Sequence, residues 1–522
     1  MKKNLLHFWS HLAWPSIKVT QAPPIGEGVL DASGVNALEV DHLFDAINYA
    51  ELTIGQAVLF RSLVNPANTR HEIEDKQRAL EELRDNSALK SAIQSVVAEA
   101  VERETCFYRL LFAHFLPMFG TSKNGIDIEG YGYVQYRRGL RFMTQLVKGI
   151  QQCPTPESAY LNVLFEHIKA FAGSRAYALM TQAVYLTETS LQTREERRQS
   201  WWRPAIVFYP RLFKPVVLAL LTLVLCTLFY FIPSIMGEAL LLSPFLLLYF
   251  PWVGHFDRDN FIIPLREAFK QSDELASALD ALGQLDELLS FLQFSEHFGH
   301  PTVLPSIIDH TQHRMLLNGA INPILGKGNS HYVSNDLTLD QNKILAITGP
   351  NSGGKTAFCK TISQIQLLAQ IGCFVPARTA MLTVADRIFY QAPEISKLHD
   401  GEGRFGAELK RTKEVFLASS AQSLVILDEL SEGTTFEEKI ASSLTVLTGF
   451  FRKGNSTVLI THNHQLVDEL LKQHIGLAKQ VEFVDDQPTH KIIEGISRVS
   501  HAERVAKKIG FSKEDIDFYL AQ

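Results

Sequence analysis

The residues Gly349-Pro350-Asn351-Ser352-Gly353-Gly354-Lys355-Thr356 stand between an apolar run, Lys343 to Thr348, and a segment carrying Phe358, Ile362, Ile365 and Leu368 at helical spacing. Strand, glycine-rich loop, helix is the context in which G-x-x-x-x-G-K-[ST] cradles the phosphates of a nucleoside triphosphate. Glycines let backbone N–H groups close on phosphate oxygens, and the helix start adds the positive end of its dipole. Lys355 is expected to reach the β- and γ-phosphates, and the Thr356 hydroxyl to help hold Mg2+. Taken alone, the eight residues have a competing reading as a chance glycine-rich turn.

Such a loop needs a second anchor for metal and water. Leu424-Val425-Ile426-Leu427-Asp428-Glu429 supplies it, because four apolar residues make a buried parallel strand and two carboxylates follow at its end. Asp428 is expected to hold Mg2+ through water, and Glu429 to orient or polarise the attacking water. A third apolar run, Thr457 to Thr461, ends at His462, whose imidazole could donate to the γ-phosphate. A histidine standing alone is more often structural; its place at the end of the next strand favours function.

These residues occupy the last part of a 522-residue chain, too long for one ordinary core. With 46% hydrophobic and 20% charged residues the chain is foldable, and a net charge of −6 offers no general attraction to nucleic acid. The five cysteines form no C-x-x-C pair, so neither a disulfide framework nor a zinc site is expected. The pattern predicts an irregular segment over 1–37 and helices over 38–200, with 120–140 irregular and helical character returning from 157. A juxtamembrane region and transmembrane hairpin follow over 201–258, core helices return over 259–300, and an α/β domain fills 301–522. Leu275, Ala278, Leu279, Leu282, Leu285, Leu288, Leu289 and Leu292 form a core-facing stripe on the returning helix.

The hairpin rests on two apolar runs, Val216 to Ile232 and Ala239 to Gly254. The first spans roughly 26 Å as a helix, slightly short of a hydrocarbon core of about 30 Å. Arg194, Arg197, Arg198, Arg203, Arg211 and Lys214 precede the runs, with Trp201, Trp202, Phe208 and Tyr209 among them; Arg258, Arg266 and Lys270 follow. Cations outside both ends and aromatics at the approach predict a membrane location with both ends, and hence the ATPase region, on the cytoplasmic side. Membrane lipids are then the expected partner of 201–258. The competing reading is a buried helical pair in a soluble core, the arginines forming a solvated face or a nucleic-acid patch.

The sequence resembles the MutS-type ATPases, relatives of the ABC ATPases. The resemblance is carried by Gly349 to Thr356, Ile371-Gly372-Cys373-Phe374-Val375-Pro376-Ala377, Asp386-Arg387-Ile388-Phe389, Asp428-Glu429, Gly433-Thr434-Thr435 and Thr461-His462. Tyr332-Val333-Ser334-Asn335-Asp336-Leu337 is similar to the segment that passes close to the adenine in that family, which implies nucleotide contacts for Tyr332 and Asn335. Gly495-Ile496-Ser497 and Ala502 to Phe511 resemble the tail through which family members pair, implying a homodimer with ATP and Mg2+ at the interface. A weaker match, from Thr53-Ile54-Gly55 to Asn86 and over Leu275 to Phe298, resembles the family's helical lever domain. Counted from there, no room remains for mismatch-reading domains, so a truncated form is expected, with the hairpin where the DNA clamp would be. One departure touches catalysis: Gly403 stands where the family places a serine that reaches the partner's γ-phosphate, with Arg404 beside it as a substitute cation.

The fold expected is therefore an α/β P-loop NTPase domain of the ABC/MutS type at the C-terminus. An all-α, lever-like domain interrupted by a helical membrane hairpin precedes it. The function expected is a membrane-anchored ATP hydrolase. Two alternatives stay open, a tethered DNA-structure-binding repair protein and an ATP-gated membrane scaffold with little hydrolysis.

Overall fold

The structure, a computed structural model of the chain, describes residues 27–116, 130–188, 190–199, 201–214, 223, 227, 243–341, 343–350, 353–392, 403–430, 436–484, 487–498 and 509–521. These fall into two compact units. One contains Ala50–Leu59 and the described residues of Ala79–Leu289; the other contains 27–49, Phe60–Arg78 and the described residues from Ser290 onward.

The first unit is framed by the helices Ser87–Phe112 and Tyr133–Gln152, which pack on each other. Glycine permits their close approach: a Cβ at Gly139 would stand 2.9 Å from the Cys106 carbonyl oxygen, and one at Gly149 would stand 2.8 Å from a Val96 methyl. Phe107 stacks on Phe142 across the same contact, ring centroids 5.2 Å apart. The second of these helices corrects the expectation of an irregular stretch to 140 and helix only from 157. Tyr133 and Tyr136, read as loop residues, are buried together with Phe142, Met143, Leu146, Val147 and Ile150 at spacings of three and four. Aromatic residues near glycines mimic a loop in composition, whereas their periodicity puts them on one face of a helix.

Two buried carboxylates finish this core. Asp286 accepts from the backbone N–H groups of Glu51 (3.3 Å) and Leu52 (2.8 Å), and Glu104 accepts from those of Thr53 (2.9 Å) and Ile54 (3.0 Å). Together they satisfy donors that the start of the helix Thr53–Val64 leaves without partners within the helix. Burial pushes the Asp286 carboxyl up to about 7, against the lowering effect of the two N–H groups. The predicted stripe on the helix Asp273–His297 is buried at each of its eight positions.

Within the stretch expected to be helical from 157 to 198, the helices Ala159–Phe171 and Arg175–Thr181 give way to short strands. β1 (Tyr185–Leu186), β2 (Leu191–Gln192) and β3 (Ile206–Val207) form an antiparallel sheet in the order β2-β1-β3. The first apolar run, Val216 to Ile232, lies outside the described residues except for Leu223 and Thr227. The second is described from Ser243, in the helix Ser243–Asp257, which leads through one π-helical turn, Arg258–Ile262, into the helix Ile263–Lys270. Among the described residues no helix is long and apolar enough to cross a membrane. The chain just before the first run and just after the second is bolted together: Lys214 Nζ lies 2.7 Å from Asp257 Oδ1, and the Tyr133 hydroxyl donates to Asp257 Oδ2 at 2.7 Å. Asp257 is fully buried, so this pair is held by complementary partners on both carboxylate oxygens.

Among the described residues the second unit contains two sheets. Its strands are β4 (Ser306–Ile308), β5 (Met315–Ala320), β6 (Asn335–Leu339), β7 (Ile344–Thr348), β8 (Thr379–Thr383), β9 (Ile388–Gln391), β10 (Leu424–Asp428), β11 (Ser456–Ile460), β12 (Leu477–Val484) and β13 (Gln487–Glu494). The larger sheet runs β13-β12-β7-β11-β10-β9; all its pairings are parallel except that of β13 on β12. β7 and β11 are buried along their whole length, as strands covered on both faces must be. The smaller sheet runs β4-β8-β5-β6.

The helix Lys355–Gln370 that follows β7 is fastened by buried glutamines. Gln364 donates to the Leu38 carbonyl (2.9 Å), Gln366 to that of Thr383 (3.0 Å), and Gln370 to those of Ala67 (2.8 Å) and Ala385 (3.0 Å). Amides at three buried positions would be costly in an apolar core without these partners. With them, the helix that carries Lys355 and Thr356 has one position relative to its neighbours.

Candidate active site

The chain leaves the buried strand β7 at Gly349 with φ 138° and enters the helix Lys355–Gln370 from Gly354 with φ 90°. Both conformations strain any residue with a Cβ. Space adds a second demand, since a Cβ at Gly349 or Gly353 would stand 2.9 or 2.8 Å from a Val481 methyl on β12. The loop is thus pressed against the neighbouring strand and keeps its backbone bare. Asn351 and Ser352, expected to belong to the cradle, lie outside the described residues.

Lys355 is 2% exposed, and its Nζ donates to the Gly349 carbonyl (2.6 Å) and the Pro350 carbonyl (2.8 Å). The ammonium closes back over the loop from which it is expected to reach phosphate. Burial pushes its pKa down to about 8, although nearby Asp428 acts in the opposite sense. A buried, under-solvated ammonium beside bare glycines suits the phosphates of a nucleotide.

Thr356 Oγ1 donates to Asp428 Oδ2 at 3.4 Å, linking the start of the helix to the end of β10. A hydroxyl and a carboxylate facing each other at the mouth of the loop form the donor set a Mg2+ ion needs from a P-loop protein. The neighbouring residue is turned away by its backbone: Glu429 has φ 62°, and its N–H donates to the Ile460 carbonyl of β11 at 2.9 Å. That left-handed turn brings the Glu429 carboxylate to 3.2 Å from His462 Nε2. The imidazole, expected to point at a γ-phosphate, faces the candidate water-activating carboxylate here. Lys355, Thr356, Asp428, Glu429 and His462 all belong to the carboxyl-end edge of adjacent parallel strands, where ligands bind in open α/β sheets.

On the side implied for the adenine, the two named residues use their polar atoms within the protein. Asn335 donates to the His490 carbonyl (3.0 Å) and accepts from the Ile492 N–H (2.7 Å), tying β6 to β13. Tyr332 is turned toward the P-loop helix, its hydroxyl near Thr361, and burial raises its pKa. Both residues therefore shape this flank, with their polar side-chain atoms engaged inside the protein.

Two neighbours escaped the sequence reading. Gln391 ends β9 beside Leu427 in register and exchanges hydrogen bonds with Thr412 at 2.9 and 3.2 Å. Its position at a strand end was a signal that could have found it. His490 on β13, whose Nδ1 lies 3.4 Å from the place a Cβ on Gly354 would occupy, has no local signal at all. The helix Gly403–Ala418 begins at the glycine that departs from the family pattern.

Residues 345–518 match the family model described as MutS domain V. This part of the chain is similar to the MutS proteins. The DNA mismatch repair protein MutS of Prochlorococcus marinus (strain MIT 9301) is 30% identical over 258 residues, covering 48% of this chain and 28% of that protein. That of Thermotoga petrophila is 29% identical over 254 residues, covering 47% and 32%. That of Brevibacillus brevis is 30% identical over 257 residues, covering 47% and 29%. The matched part is thus less than a third of each of these relatives' length, and residues 345–518 lie within the second unit.

Proposed function

We propose that the chain is a membrane-anchored, MutS-like ATPase that hydrolyses ATP with Mg2+ at the interface of two ATPase domains and passes the resulting change to its helical arms. The observation that carries this reading is the convergence of Lys355, Thr356, Asp428, Glu429 and His462 on one sheet edge. Mg2+, when held through Thr356 and Asp428, neutralises charge on the β- and γ-phosphoryl oxygens. Lys355 supplies the cation on the other side, and Glu429 orients the water that attacks the γ-phosphorus. His462 holds the Glu429 carboxylate until nucleotide is present and is then available to the γ-phosphate.

The dimer is supported by the C-terminal helix Lys513–Leu520, where Phe518, Tyr519 and Leu520 are exposed, as are Ile509 and Phe511 before it. Such a cluster on a short helix is costly in water and suits pairing with a second copy. The membrane is supported by the segment around β3. Trp201, Trp202, Ile206, Tyr209 and Phe213 are all at least half exposed there. Arg203 lies 4.8 Å over the Trp202 ring, and Arg211 lies 5.8 Å over that of Tyr209. Exposed aromatics paired with arginines directly before an uncharged run match the headgroup layer of a bilayer, with the ATPase domain on the cytoplasmic side.

The test is ATP turnover by the full chain in detergent. Glu429→Gln is expected to lose about a hundredfold or more in kcat while still binding ATP, and Lys355→Ala to lose binding. Turnover equal in all three forms would rule the reading out. The curated relatives are named for DNA mismatch repair, and this favours one other reading, binding of branched or mismatched DNA. Affinity for such DNA that falls steeply with salt would support it.

A further inference from the structure

Tyr390 lies inside β9, a strand buried at each of its positions. The residue is 2% exposed, and among the described residues its buried hydroxyl oxygen has no hydrogen-bond partner. A hydroxyl left unpaired at that depth costs folding free energy, which a phenylalanine ring filling the same space would not. The oxygen therefore calls for a partner, and strand register says where one stands. β9 runs parallel to β10 with Tyr390 opposite Ile426. Side chains alternate along a strand, so Asp428 shares a face of the sheet with Ile426 and hence with Tyr390. Asp428 is thus the diagonal neighbour of Tyr390 at the end of the next strand, a spacing an aromatic side chain can bridge.

The surroundings single out that carboxylate. Burial raises the Tyr390 pKa, and Cys359, Asp428 and Glu39 add to the rise. Cys359 is itself fully buried, which holds its thiol protonated. The Glu39 carboxylate is taken up by Lys360 Nζ at 2.8 Å. Asp428 alone of the three faces the hydroxyl as an acceptor, although the two do not close to a hydrogen bond of ordinary geometry here. On its other side Asp428 Oδ2 accepts from Thr356 Oγ1 at 3.4 Å, at the long limit for such a bond. A small rotation of the carboxylate would bring it onto the Tyr390 hydroxyl.

We propose that Tyr390 is a positioning residue for the metal site, its hydroxyl donating to the Asp428 carboxylate and fixing the direction in which that carboxylate meets Mg2+. Carboxylates that hold a metal are themselves oriented by hydrogen bonds from behind, and β9 supplies the donor here. The inference rests on the ATPase reading above, in which Thr356 and Asp428 hold the ion.

The test is Tyr390→Phe in the full chain, a change that removes one oxygen and keeps the ring. Calorimetry measures the affinity for ADP in EDTA and again in saturating Mg2+, and the ratio of the two is the gain due to the metal. Chemical denaturation of the same samples reads stability. The variant is expected to bind ADP in EDTA as the unsubstituted protein does and to lose about tenfold of the gain due to Mg2+, the lower end of what removing a partner behind a metal ligand costs. Its denaturation midpoint should not fall, since the hydroxyl makes no bond of full geometry without the metal. An unchanged gain from Mg2+ would overturn the proposal, whatever the midpoint. Equal losses with and without Mg2+ would also overturn it, by assigning Tyr390 to the packing of β9. An unsubstituted protein that binds no ADP, or binds it no better with Mg2+, would overturn the ATPase reading and this inference together.

Discussion

The buried position of Lys355 makes nucleotide binding a proton-uptake reaction at alkaline pH. Without nucleotide, burial holds the lysine at about 8. Phosphate beside the ammonium stabilises the charged form and returns it to at least the ordinary value of about 10.5. The nucleotide-free pKa is the lower of the two, so binding takes up a proton between these values and affinity falls as pH rises through that window. Linkage then gives about 0.1 proton taken up per site at pH 7 and about 0.9 at pH 9, with affinity roughly tenfold weaker at pH 9. Calorimetry with ADP and EDTA, in buffers of different ionisation enthalpy, reads the proton count without any contribution from metal. Lys355→Arg should bind with no such dependence, since a guanidinium stays charged throughout. Affinity that is flat from pH 7 to 9, with uptake near zero at pH 9, would refute the argument that desolvation governs this lysine.

Three further outcomes follow from named contacts. Gly349→Ala must place a Cβ 2.9 Å from a Val481 methyl at φ 138°, so nucleotide affinity should fall at least about tenfold; adding Val481→Ala should restore part of it by removing the clash and leaving the strain. Glu104→Ala strips acceptors from the Thr53 and Ile54 N–H groups and from the Tyr108 hydroxyl, and chemical denaturation of the helical unit should show a loss of about 3 kcal/mol. Glu104→Gln, which keeps one acceptor oxygen, should lose less. Substituting Trp201 and Trp202 by serine should weaken flotation with anionic vesicles in high-salt buffer, where charge attraction is screened; equal flotation would remove these rings from the membrane-facing surface.

The phosphate loop was legible because its requirements are local. Glycines at 349 and 354 answer to backbone angles, and the apolar run before them and the helical spacing after them need no distant partner. The same holds for Asp428 and Glu429, which an uninterrupted apolar run places at a strand end. Tyr332 and Asn335 were singled out by resemblance, and their side chains are spent on Thr361 and on β13, partners tens to more than a hundred residues away. The helix Tyr133–Gln152 was missed where composition was weighed above periodicity.

The chemistry available to this chain is written in its order of residues, because a P-loop, a strand ending in two acids and a strand ending in histidine each fold by short-range rules. What each group faces is a matter of tertiary packing. Strand order places β11 between β7 and β10, so that His462 meets Glu429. Burial among those strands lowers the Lys355 pKa. The register shift on β12 aims His490 at Gly354. Desolvation and side-chain direction depend on neighbours brought together by the sheet, and no spacing along the chain encodes them.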